Sequence, residues 1–419
     1  MIFFYLLVWV LPLVNHPVWG AKIGPITVYE YLGLFCMLGV LFRIFATGKF
    51  PRLLGSWTTR CVFLLYVIAV VSTLATSSVG ISLANSTFIQ YTSTIFLFVI
   101  TVALVDTVER FRWTVLCLVG SYAWASLYLI REWQVGIDLG SDGRPGWIVG
   151  DSNFFSTSAI YAIALGICFL QAKRPRWERI YCLGCILITL FGVTLCASRG
   201  AFLGLAAACF VILWRMPNRF RNFTLIMVLV VPLSILLPVS PVHRFLHPTI
   251  AETDSEEAHK EAWNAGGRMI EAHPLLGVGL GNFKPLMPEY VRPGQTVDTI
   301  AHNMFIEMAA EMGIPTLFVF LGIFVASYVG LGRIRRSEKG VTVIHESAIA
   351  LQASVIGIMV AGSFVSAEYE KTTWMGIALI ASLINIVQLQ QSPKHAVEEV
   401  HLRATTPHEI PELISTRST

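Results

Sequence analysis

Apolar residues run through this chain in long blocks rather than in strict alternation. Blocks recur at 2–14, 26–46, 61–76, 87–105, 113–130, 153–171, 180–197, 200–214, 223–239, 313–331, 347–366 and 373–390. A helix that crosses the hydrocarbon core of a bilayer needs about 20 mostly apolar residues. The pattern therefore predicts about twelve transmembrane helices, the first of them short, in an all-α polytopic membrane protein. The N-terminal block lacks a basic region before it and a small-residue cleavage site after it, so it is read as a retained segment.

One large polar excursion, residues 240–312, separates the ninth block from the tenth. Pro238 and Pro241 stop the preceding helix. Thr253 followed by Glu256 has the form of a capping box, and a short helix is predicted from Asp254 to Glu271, loosened by Gly266 and Gly267 and ended before Pro274. A shorter connection, 131–152, is glycine-rich. The tail 391–419 is polar, carries Pro393, Pro407 and Pro411, and is expected to be unstructured. The expected organisation is nine spans over 1–239, a loop with short helices over 240–312, three spans over 313–390, and the tail.

Lys and Arg fall on alternate connections, 19 on one side and 5 in the short connections of the other. The basic side faces the cytoplasm. This predicts cytoplasmic N- and C-termini and places the large loop on the outer side.

Composition agrees. Hydrophobic residues make up 55% of the chain and charged residues 13%, with a mean hydropathy of +0.67. Soluble domains carry about 25% charged residues, so a soluble or disordered chain is excluded. The 30 basic and 26 acidic side chains are too evenly matched for a nucleic-acid binder. All eight cysteines lie in apolar stretches, where Cys acts as a small hydrophobe. Cys182 and Cys185 form a CxxC one helical turn inside a span, a poor setting for metal or redox chemistry.

Ionisable residues are nearly absent from the middle of the spans, where a transporter would place them. The distinctive polar residues gather instead at the outer ends of helices. Ala197–Ser198–Arg199–Gly200–Ala201 joins two apolar blocks with almost no loop. A guanidinium there either snorkels to the interface or offers its planar fork of donors to a phosphate. Gly266–Gly267–Arg268 is followed by Pro274–Leu275–Leu276–Gly277–Val278–Gly279–Leu280–Gly281–Asn282–Phe283. The alternate glycines suit a tight turn or close approach to a ligand, and an ion pair with Glu261 on the same helical face accounts for Arg268 by itself. His302–Asn303 opens a stripe that continues through Glu307 and Glu311. An isolated His is commonly structural, but at the end of a membrane helix it is suited to act as a general base. No metal-site spacing accompanies it, and no cofactor is expected.

In their order along the chain, the SRG turn, the loop arginine before PLLGVGLGNF and the HN pair resemble the O-antigen ligase/polymerase superfamily of bacterial inner membranes. The resemblance covers residues 150–332. It implies a GT-C-type glycosyltransferase working at the periplasmic face on an undecaprenyl-diphosphate-linked glycan. It also implies that Arg199 and Arg268 contact the diphosphate and that His302 is the catalytic histidine. Asn303, Glu307, Gly279, Gly281 and Asn282 are weaker substrate-binding candidates. The leading expectation is an O-antigen ligase with the lipid A–core as acceptor, acting by an inverting, metal-independent displacement amid membrane lipids. An O-antigen polymerase and a protein O-oligosaccharyltransferase share these marks; a lipid-linked saccharide transporter is the rival of a different class.

Overall fold

A computed structural model describes residues 1–391 except 25, 77–79, 81, 83–86, 138, 140–142, 172–173, 216–249, 293–298, 339 and 341, and the side chains of 250–256. The predicted span at 223–239 and nearly all of the tail lie outside the described residues.

The described residues form fourteen helices: α1 (Ile2–Val10), α2 (Val28–Thr47), α3 (Trp57–Ala75), α4 (Thr87–Leu104), α5 (Val108–Val135), α6 (Ser152–Gln171), α7 (Arg176–Cys196) and α8 (Arg199–Arg215), then α9 (Ile250–Ala272), α10 (Phe283–Tyr290), α11 (Met304–Met312), α12 (Ile314–Ser337), α13 (Val343–Gly362) and α14 (Lys371–Gln390). The strands among them are a two-residue hairpin, Lys22–Ile23 against Ile26–Thr27.

Among the described residues nine helices, α2 to α7 and α12 to α14, are long and apolar enough to cross a membrane. The chain is an all-α, multi-pass membrane protein. The predicted block 2–14 is helical only to Val10, because Pro12 cannot continue a helix. Other helices outrun their hydrophobic blocks. α5 runs from Val108 to Val135, carrying Arg110, Arg112 and Glu132 at its ends, since hydropathy marks the lipid-facing stretch and not where hydrogen bonding stops. α9 is already helical at Ile250, so Thr253 lies within the helix and is not its cap.

Packing in the bundle relies on small residues. α8 lies against α13 with Gly204 on Gly357: a Cβ at Gly204 would sit 2.4 Å from the Gly357 carbonyl oxygen. Lipid tails are as apolar as leucine, so membrane helices associate through such close backbone contact. α13 also packs on α6 and α12, α7 joins α5 to α6, α3 packs on α12, and α14 on α4.

The polar excursion has its own small core of Ala262, Ala265, Met269, Phe283, Met287 and Ala301, from α9, α10 and the segment before α11. Hydroxyls at the end of α3 fasten this unit to the bundle. Ser72 Oγ donates to the carbonyls of Leu276 (2.6 Å) and Glu311 (3.1 Å), and Thr76 Oγ1 to that of Val278 (2.8 Å).

Candidate active site at the large-loop end of the bundle

The SRG turn is made by one unusual residue. Ala197 caps α7 with left-handed backbone (φ +50°), its N–H donating to the Thr194 carbonyl at 3.1 Å. The chain reverses there, so that α8 begins at Arg199. Arg199 is half-buried in the first turn of that helix, where the N-terminal end of the helix dipole favours an anion. Arg144 reaches the same turn from the α5–α6 connection. Its Nη1 donates to the Cys196 carbonyl (3.1 Å) and to Asn153 Oδ1 (3.3 Å).

His302 also has left-handed backbone, at φ +49°. That conformation costs an L-residue about 1–2 kcal/mol, and its neighbours hold it. Asn303 is the N-cap of α11: its Oδ1 accepts from the N–H groups of Phe305 (3.0 Å) and Ile306 (3.1 Å), and its Nδ2 donates to the Ser363 carbonyl (3.1 Å). Trp263 Nε1 donates to the Ala301 carbonyl at 2.7 Å. The His302 ring lies 4.4 Å from that of His259, one turn before Trp263 on α9. Burial, with the His259 ring and the Arg144 guanidinium adding to it, pushes His302 down to about 4. The imidazole is therefore neutral at pH 7, with its lone pair available.

Contacts link these groups at one end of the bundle. Asn303 touches Ser363, and a Cβ on Gly200 would meet Phe364 and Val365, so the HN pair and the SRG turn share the α13–α14 connection. Arg144 spans from that turn toward His302. His302 and Asn303 precede α11, so the expected helical stripe begins only at Met304.

The glycine run is explained by Glu311. Gly277 and Gly279 are left-handed, at φ +67° and +100°. The N–H groups of Val278 and Gly279 donate to the Ala310 and Glu311 carbonyls, at 2.9 and 2.8 Å. A Cβ on Gly277 would lie 2.3 Å from the Glu311 carbonyl carbon. The Glu311 carboxylate then accepts from the N–H groups of Gly281 (2.8 Å) and Phe283 (3.0 Å) and from the Tyr369 hydroxyl. Asn282 is buried, its Nδ2 donating back to the Val278 carbonyl at 2.8 Å. These residues make a turn wrapped around the end of α11.

Beside that turn is a cavity of about 500 Å³ whose walls include Gly281, Lys284, Glu307, Ser366, Tyr369 and Glu370. Glu307 accepts from the Ala301 N–H (3.1 Å) and Ser366 Oγ (2.5 Å). Burial, then Glu311, raises the Glu307 carboxyl, and burial, then Asp151, raises Glu370 to about 7. Glu368, 1% exposed, has both carboxylate oxygens without a hydrogen-bond partner among the described residues. Burial, then Glu307, raises it well above the carboxylate range.

Arg268 stands apart. Its Nη2 pairs with Glu261 at 2.5 Å, and its Nε donates to the Tyr290 carbonyl. Nine residues separate it from His259, which on a helix is half a turn out of phase and about 13 Å along the axis. It therefore looks away from the His259–His302 pair. The sequence reading missed Arg144 and His259. Arg144 counted there only as one more outer-loop charge, although its Gly143–Arg144–Pro145–Gly146 setting marks a fixed turn. His259 shares a helical face with Trp263 and Gly266, which was the available signal.

Residues 184–321 match the family model described as O-Antigen ligase. The matched segment holds the SRG turn, the polar unit and the HN pair, about one third of the chain. No curated protein matches the chain. Over residues 184–321 the chain is thus similar to the O-antigen ligase family, and the match supports a place in that superfamily.

Proposed function

We propose that this protein is a ligase that transfers a glycan from undecaprenyl diphosphate to the lipid A–core oligosaccharide at the periplasmic face of the inner membrane. The observation that carries the reading is a coincidence of strain and chemistry. The two non-glycine residues with left-handed backbone among the described residues are Ala197 and His302. One sets Arg199 at a helix start and the other is itself the half-buried imidazole. Strained backbone concentrates where function demands a geometry.

In the proposed reaction the acceptor hydroxyl attacks the anomeric carbon opposite the diphosphate. The bond from that carbon to the diphosphate oxygen breaks, and its electron pair leaves with the diphosphate. His302 takes the hydroxyl proton as the new C–O bond forms. One displacement inverts the anomeric centre. Arg199 and Arg144 stabilise the growing negative charge, the task a divalent cation has in many glycosyltransferases; each such donor contributes on the order of 3 kcal/mol. Arg268 has a supporting part in this scheme, tying α9 to the corner after α10. The cavity beside Glu307 suits the acceptor sugars. Its raised carboxyls hold protons more readily than exposed ones do, and in that form can donate to, as well as accept from, sugar hydroxyls.

Two experiments test this. Purified protein in detergent, given donor, acceptor and a chelator, transfers glycan with no membrane to cross; failure there, with transport restored in vesicles, favours a transporter. A deletion strain accumulates finished polymer on its lipid carrier. Single-repeat chains in that strain would indicate a polymerase, and loss of sugar from secreted proteins a protein O-oligosaccharyltransferase.

A further inference from the structure

At the opposite, basic end of the bundle a recess of about 200 Å³ lies between α2, α4 and α14. It has room for a small polar head group. Lys49 and Arg52 line it from the α2–α3 connection. Asp106, also on the wall, is already taken by Arg43 (2.5 Å) and Arg110 (2.6 Å). Lys49 and Arg52 are exposed and make no ion pair among the described residues. Among the described residues the positive charge of the recess is therefore uncompensated. Deeper in it, Asn385 is buried and donates its Nδ2 to the Arg52 carbonyl at 3.0 Å, while its Oδ1 accepts nothing. That oxygen is sealed against Gly55, so Asn385 closes the floor of the recess and holds the α2–α3 connection to α14.

The surroundings identify the ligand as a lipid. Phe42, Phe45 and Phe50 flank the recess at 75, 86 and 79% exposure, an apolar face that belongs against acyl chains. Basic pockets between membrane helices on the cytoplasmic side bind anionic lipid head groups. We propose that this recess is a binding site for the head group of an anionic phospholipid, its phosphate on Lys49 and Arg52.

Native mass spectrometry of the full-length protein, titrated with phosphatidylglycerol, phosphatidic acid or phosphatidylcholine of identical chains, tests it. The wild type retains phosphatidylglycerol well above phosphatidylcholine. Lys49→Gln and Arg52→Gln, both at exposed side chains, each lower that retention about fivefold. Phosphatidic acid, which also brings an anionic phosphate, is retained like phosphatidylglycerol. Equal retention of the charged and zwitterionic lipids, or selectivity that survives the Lys49→Gln/Arg52→Gln pair, overturns the site. Displacement of phosphatidylglycerol by an equal concentration of soluble glycerol 3-phosphate overturns the assignment to a lipid.

Discussion

At the scale of single residues, the proposal turns on His302 staying neutral. Its depressed pKa has a definite sign: the ring is uncharged from alkaline pH down to about 4. The stability this group contributes is complete above the ordinary value near 6.5 and is lost as pH falls from there toward 4. The acid limb of kcat/KM, which reports the free enzyme, is therefore expected near pH 4; a limb at 6.5 would contradict a half-buried, neutral His302. Diphosphate beside the ring raises its pKa, so the limb of kcat lies higher. Arg144→Gln removes a cation that lowers it, and is expected to move the kcat/KM limb upward while slowing transfer about 100- to 1000-fold. Arg199→Ala slows it similarly. Arg268→Ala, in contrast, breaks the Glu261 pair and the Tyr290 contact, and should lower Tm together with transfer. A thermal melt run beside a transfer assay separates the two kinds of arginine.

Among the elements, α11 organises the site although it has only nine residues. Its cap is Asn303, its first turn holds Glu307, and its end is wrapped by the glycine run. Asn303→Ala is expected to cost about 1 kcal/mol and to release His302 from its left-handed conformation, whereas Asn303→Asp keeps the cap. Gly277→Ala meets both a positive φ and a carbonyl carbon 2.3 Å away, so it should destabilise the polar unit by well over 1 kcal/mol. Proteolysis of the loop in the folded protein reads this directly. The glycines were legible in the sequence as a turn, but their partner was not. Glu311 lies about 30 residues downstream, and only the fold brings its carboxylate to the Gly281 and Phe283 N–H groups.

For the whole molecule, the positive-inside bias makes sidedness testable. Glu271→Cys, on α9, should react with an impermeant maleimide in cells whose outer membrane has been opened; Arg333→Cys, near the end of α12, should react only after lysis. The reverse pattern would put the candidate site in the cytoplasm and end the proposal. The amino-acid sequence by itself determined the membrane class, nearly all of the helices and the order of the motifs, because each depends on apolar length and local spacing. Backbone donors and acceptors must pair within a segment in lipid, so hydropathy alone announces a helix. Which cations meet the imidazole was decided only by tertiary structure. In one dimension Arg268 is the candidate and Arg144 only one of the outer charges, but helix phase turns Arg268 away while a loop 158 residues before His302 brings Arg144 near enough to lower its pKa. The raised carboxyls beside the cavity and the depressed imidazole are likewise products of burial, which no local pattern records.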